Sequence, residues 1–154
     1  ALSTAEVSVL NDADAAGIAE VAFGNQTART GAVIFLTFGT GIGSAFLRDG
    51  TLFPNTELGH MRIDGTEAEH LASSAVRDRE ALSYEDWAQR VDTVLHEYAR
   101  LFNPSAFIVG GGISSDAEKW VPLLSVDVPV VPAALRNRAG IVGAAMAAHD
   151  HVAP

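Results

Sequence analysis

Asn11-Asp12 places a carboxylate where a short apolar run, Val7 to Leu10, gives way to helical composition. At a strand end, in the crevice where α/β proteins bind ligands, such a carboxylate can accept a proton from a substrate hydroxyl. The same pair also suits a helix N-cap. Gly39-Thr40-Gly41-Ile42-Gly43 lies between two strand-like runs. Glycines there let consecutive N–H groups form an anion-binding concavity, or they simply turn a hairpin. Gly110-Gly111-Gly112-Ile113-Ser114 follows an apolar run and opens a helical stretch, which suits a phosphate or nucleotide as well as a tight turn. Glu57-Leu58-Gly59-His60, with Glu69 beyond, supplies carboxylates and an imidazole able to hold sugar hydroxyls. A zinc reading of that loop has one histidine and no cysteine behind it. His149 and His151 read as a solvated tail.

The elements that must position these groups read as an α/β arrangement. Ala13 to Val21 is helical in composition and Gly24 to Gly31 is a loop. Ala32 to Phe38 is a buried strand, Ser44 to Arg48 a second, and Asp49-Gly50 a hairpin turn into a third, Thr51 to Phe53. Glu57 to Gly65 is irregular, while Glu67 to Arg79 and Ser83 to Phe102 are helices. In the latter, Ser83 and Asp86 resemble a capping box, and Trp87, Val91, Val94, Leu95 and Tyr98 make one apolar face. A strand at Ala106 to Val109, a helix at Ser114 to Leu124, a strand at Val128 to Val131 and a helix at Ala139 to His149 complete the reading.

Composition narrows the function. The 154 residues fit one domain, and 48% hydrophobic content is that of a folded core. A net charge of −9 argues against nucleic-acid and anionic-membrane partners, and it obliges any polyanionic ligand to find a local basic groove. Arg77, Arg79, Lys119, Arg136 and Arg138 could build such a track or be scattered surface charges. Without cysteine, thiolate zinc sites and disulfides are excluded. No run approaches the roughly 18 apolar residues of a membrane span, and a cytoplasmic protein is expected.

Taken in order, Asn11-Asp12-Ala13-Asp14-Ala15-Ala16, Gly39 to Gly43, Glu57-Leu58-Gly59-His60 and Gly110 to Ser114 resemble the ROK family of sugar kinases. Pro54 to His60, Ile63-Asp64-Gly65 and Gly140 to Ala145 look like its polyphosphate glucokinase branch. The resemblance implies an actin/hexokinase-like (ribonuclease H-like) lobe, with three antiparallel strands followed by alternating helices and strands. It implies phosphoryl transfer from polyphosphate or ATP to the 6-hydroxyl of glucose, with Mg²⁺ accompanying the donor. Asp12 would be the base, and Asn11, Glu57, His60 and Glu69 would hold the other hydroxyls. Glu69 is placed by the Ala72-Ser73 that follows it. Gly39, Thr40, Gly41 and Gly43 would cradle donor phosphates, and Gly110, Gly111 and Gly112 would sit at the distal donor site. The cysteine-rich zinc motif of many ROK proteins is missing, so no metal and no structural zinc are expected.

The family's Asp-x-Gly-Gly-Thr phosphate loop is also missing. Residues 1–154 are therefore expected to be the single C-terminal lobe of a two-lobe kinase, with 1–24 and 139–154 as hinge or remnant segments. Alone, such a lobe should be inactive or weak. It should pair with the missing lobe or self-associate, because the apolar helices Ala13 to Val21 and Ala139 to His149, left bare, should pack on each other or on a second copy. A sugar-sensing module without catalysis is the alternative, since ROK proteins include repressors.

Overall fold

The computed structural model describes residues 11–135. The expected strand at Val7 to Leu10 and helix at Ala139 to His149 lie outside the described residues, as do Arg136 and Arg138. A five-stranded sheet carries the chain, built from β1 (Ala32–Phe38), β2 (Ile42–Arg48), β3 (Thr51–Phe53), β6 (Ala106–Gly110) and β7 (Val130–Pro132). Their order is β3-β2-β1-β6-β7. The first three strands are antiparallel, as the Asp49-Gly50 signal requires, whereas β1–β6 and β6–β7 are parallel. Thr37 pairs with Gly110, so both glycine-bearing turns leave the sheet at one edge.

Side-chain alternation along β1 divides the core in two. Val33 and Phe35 face α1 (Asp12–Phe23), packing with Ala16, Ala19, Ala45 and Leu47. Ile34, Leu36 and Phe38 face the other way, against Trp87, Val91, Leu95 and Tyr98 of α4 (Tyr84–Phe102). Small residues let α1 lie close to the sheet: a Cβ on Gly17 would stand 3.1 Å from that of Ala45. The apolar face of α1 is thus part of this chain's own core, which corrects the expectation that it would be bare. Beneath the glycine turns, Phe38, Trp87 and Trp120 meet edge to face, with the two indoles 5.0 Å apart. Trp87 is fully buried, and its indole N–H donates to the Ala72 carbonyl at 3.0 Å.

The expected helix Glu67 to Arg79 is two helices, α2 (Ala68–Ala72) and α3 (Ser74–Arg79). Ser73 divides them because its extended backbone ends the first, while its hydroxyl accepts the Val76 N–H and caps the second. The Glu57 to Gly65 stretch is more ordered than expected. It holds a 3₁₀ turn, Leu58–His60, and then β4 (Arg62–Ile63), which pairs with β5 (Thr66–Glu67) across Asp64-Gly65. Both residues of that turn have positive φ, 50° and 86°, as such a hairpin needs. The helix expected at Ser114 to Leu124 is a 3₁₀ turn at Gly112–Asp116, a single turn of α5 (Ala117–Trp120), and another 3₁₀ turn where Pro122 removes a donor. The last strand begins two residues later than expected, at Val130.

Candidate active site

A cleft of about 410 Å³ opens at the sheet edge where β1 and β6 end. Its walls include Asp12, Thr37, Gly39, Thr40, Gly41, Gly43, Glu57, Glu69, Gly111 and Gly112. The structure therefore brings together all three expected acidic groups and every expected glycine but Gly110. Each group is held by a different element.

Asp12 is exposed at the first turn of α1. Asn11 is the N-cap, its side-chain oxygen accepting the N–H groups of Ala13 at 2.8 Å and Asp14 at 3.1 Å. Capping and carboxylate presentation are divided between the pair: Asn11 satisfies the helix, which leaves Asp12 free to face the cleft. Asn11 itself is not among the cleft-lining residues, and its capping oxygen is already committed.

The β1–β2 turn is closed by the Gly39 N–H donating to the Gly41 carbonyl at 2.9 Å. It is buttressed from α3, where Ser74 Oγ and the Ala75 N–H both donate to the Gly39 carbonyl. Strand β2 resumes at Ile42, two residues earlier than expected. Glu69 of α2 reaches this turn, and its Oε2 accepts the Ile42 N–H at 3.4 Å. The same oxygen lies 3.4 Å from where a Cβ on Gly59 would stand, so Glu69 sits between the glycine turn and the loop bearing Glu57. Gly59 is required there, because any side chain would overlap the Ile42 carbonyl.

Gly110 is the last, buried residue of β6, packed against Phe35, and it is absent from the cleft wall. Gly111 and Gly112 supply that wall. Gly111 has φ 84°, and a Cβ on it would stand 2.5 Å from the Phe38 carbonyl oxygen. The segment they open begins as a 3₁₀ turn, so the long helix N-terminus expected to face a phosphate is replaced by a short, tight one.

His60 lies outside the cleft wall, exposed, with Nδ1 3.3 Å from Glu67 Oε2 and 3.6 Å from Glu69 Oε1. The Glu67 contact and the Glu69 charge raise the imidazole above its ordinary range. His60, Glu67 and Glu69 offer ligand atoms within 4.8 Å of one another, and His70 stands 3.9 Å from both glutamates. These are the groups that could hold a cation. Tyr98 of α4 underpins the loop, its hydroxyl donating to the Leu58 carbonyl at 2.6 Å. Burial, then the Glu69 charge, pushes that phenol well above its usual range.

Sequence reasoning missed Glu67, Ser44 and Asp14. Ser44 and Asp14 are buried and bond to the loop around Glu57. Asp14 had a signal: a second acid two residues after Asp12, with only alanines at 13, 15 and 16 around it.

The ROK family's sequence model matches residues 2–81, slightly more than half the chain. The chain belongs to the ROK family. Among ROK proteins it is similar to the polyphosphate glucokinase of Mycobacterium tuberculosis, with 55% identity over 142 residues, covering 92% of this chain and 54% of that protein. The crystal structure of the inorganic polyphosphate/ATP-glucomannokinase from Arthrobacter sp. strain KM superposes with a TM-score of 0.90. That match has 49% identity and covers 94% of this chain and 57% of the other. A ROK glucokinase from Streptomyces griseus in complex with glucose and AMPPNP shares the fold, with a TM-score of 0.74 at 24% identity, covering 92% of this chain and 68% of the other. The actin/hexokinase-like α/β fold is thus the one these proteins have. The chain spans about half the length of the polyphosphate glucokinases it matches.

Proposed function

We propose that this chain carries the sugar-binding side and part of the donor cradle of a glucokinase. The reaction is phosphoryl transfer from polyphosphate or ATP to the 6-hydroxyl of glucose. One observation carries the reading: Asp12, Glu57 and Glu69 open onto the same cleft as the two glycine turns, so acceptor and donor chemistry meet in one space. The similarity to polyphosphate glucokinases supports the choice of sugar and donors.

Asp12 accepts the 6-hydroxyl proton as the sugar oxygen forms its bond to the terminal phosphorus. The bond from that phosphorus to the shortened polyphosphate or ADP breaks, and the electron pair leaves with that group. Glu57 and Glu69 accept hydrogen bonds from other sugar hydroxyls, with His60 beside them and Asn11 setting the helix start. Gly39, Thr40, Gly41 and Gly43 receive the donor phosphates, with Gly111 and Gly112 further along; Gly110 serves only to bring them there. Mg²⁺ arriving with the donor would neutralise its charge, and the cleft carboxylates are hard oxygen groups that suit it. Glucose is a small neutral metabolite and the donor a polyanion, which fits a cytoplasmic setting. No described helix is long and apolar enough to cross a membrane.

Replacing Asp12 tests the reading. In the enzyme built on this chain, Asp12→Asn is expected to lower kcat by roughly 10²–10⁴-fold with sugar affinity far less changed, because the amide keeps the shape but takes no proton. Near-normal turnover in a steady-state assay removes Asp12 from the role.

A further inference from the structure

Two buried side chains from different elements hold the loop that carries Glu57. Ser44 of β2 is 1% exposed. Its Oγ donates to the Thr56 carbonyl at 2.8 Å and accepts the Leu58 N–H at 3.0 Å, while Thr56 Oγ1 donates back to the Ser44 carbonyl at 3.0 Å. Beside it, Asp14 of α1 is fully buried, and its Oδ2 accepts the Asn55 N–H at 2.8 Å. Asn55 has φ 60°, in the left-handed region that asparagine enters more readily than most residues with a side chain.

The Asp14–Asn55 bond spans 41 positions and joins two functional segments. Asp12 and Asp14 share the first turn of α1, one facing the cleft and the other buried under the loop. Asn55 lies two residues before Glu57. A buried carboxyl among Ala13, Ala15 and Ala16 costs stability, and Asp14 Oδ1 has no hydrogen-bond partner among the described residues. Packing alone would be better served by an apolar side chain, so the acid is explained by the one bond it makes.

We propose that Asp14 is a positioning residue of the acceptor site: by holding the Asn55 amide it fixes Glu57 relative to Asp12, and so sets sugar affinity without touching the sugar. The ligand in this statement rests on the glucokinase reading; the coupling between α1 and the loop does not.

Amide hydrogen exchange and glucose calorimetry on this chain and on Asp14→Ala and Asp14→Asn separate the two. In Asp14→Ala the Asn55 amide is expected to exchange about 10-fold faster while Val91 and Leu95 in α4 are unchanged, and glucose affinity to fall about 10-fold. Asp14→Asn, which keeps an acceptor oxygen, should restore both to within about 3-fold. Unchanged Asn55 exchange in Asp14→Ala overturns the proposal, as does loss of protection spread equally through α4, which would mark a general stability role. If the unsubstituted chain binds no glucose, the sugar reading fails, and the exchange result still decides the coupling. Should Asp14→Ala not fold, Asp14→Ser, whose hydroxyl is too short to reach the amide, is read in the same way.

Discussion

Burial pushes the Asp14 carboxyl above its ordinary range, the Asn55 N–H opposes that shift, and the Glu57 charge adds to it. The sign of the consequence for stability follows from linkage. Between the unfolded value near 3.9 and the higher folded value, the folded chain binds more protons than the unfolded one, so stability falls as pH rises through that window. Below the window nothing is lost, and above it the loss is complete. Asp14→Asn has no such titration. The difference in unfolding free energy, original minus variant, should therefore decline as pH is raised from about 4. Urea titrations at a series of pH values measure this, and a flat difference would mean that Asp14 ionises equally in both states. The cation-capable group of His60, Glu67 and Glu69 also belongs to this scale. Structural zinc sites are closed, whereas the His60 and His70 side chains are 57% and 66% exposed. Elemental analysis of purified protein is expected to find no stoichiometric zinc, and one tightly held ion per chain would refute that. Glu57 was legible beside Gly59-His60 in a loop, and Glu69 through the resemblance, by the Ala72-Ser73 that follows it. Asp14 was not, since its role depends on a partner 41 residues away.

At the scale of elements, the parts written by local chemistry were readable and the parts decided by contact were not. Strand β1 carries apolar side chains on both faces, β3 follows an Asp-Gly turn, and α4 starts at a capping serine, with Ser83 Oγ accepting the Asp86 N–H at 3.0 Å. Each of these signals lies within a few residues. The break at Ser73 is different: a serine inside a helical pattern gives no warning until the Trp87 indole takes the Ala72 carbonyl and α3 turns to meet Gly39. The glycine turn after β6 was found, but which glycine faces the cleft depended on the register with β1. That register puts Gly111 at φ 84° against the Phe38 backbone. Gly111→Ala should therefore combine left-handed strain with overlap on a carbonyl that cannot retreat from its strand, costing about 1–3 kcal/mol. Thermal unfolding reads the cost. An unchanged melting temperature would mean that the two turns do not approach as closely as described.

For the molecule as a whole, the question is how much of the proposed reaction these residues can perform together. The proposed acceptor groups Asp12, Glu57 and Glu69 and the two glycine turns all belong to one rim, at the edge of a single sheet. Phosphoryl transfer asks for more than a rim. Charge spreading over the transferred group must be met from several sides, and water must be kept from the phosphorus, or the donor is hydrolysed. The net charge of −9 also works against gathering a polyanionic donor unless local groups offset it. The described walls leave the cleft open, and the polyphosphate glucokinases similar to this chain are about twice as long. The 154-residue chain alone is accordingly expected to bind glucose measurably by calorimetry, yet to form glucose 6-phosphate at least about 10²-fold more slowly than the full-length Mycobacterium tuberculosis relative under the same conditions. A coupled assay for the product, run with polyphosphate and separately with ATP, gives the comparison. Turnover near that of the longer enzyme would show that one rim suffices. Absent glucose binding would overturn the sugar reading of this cleft.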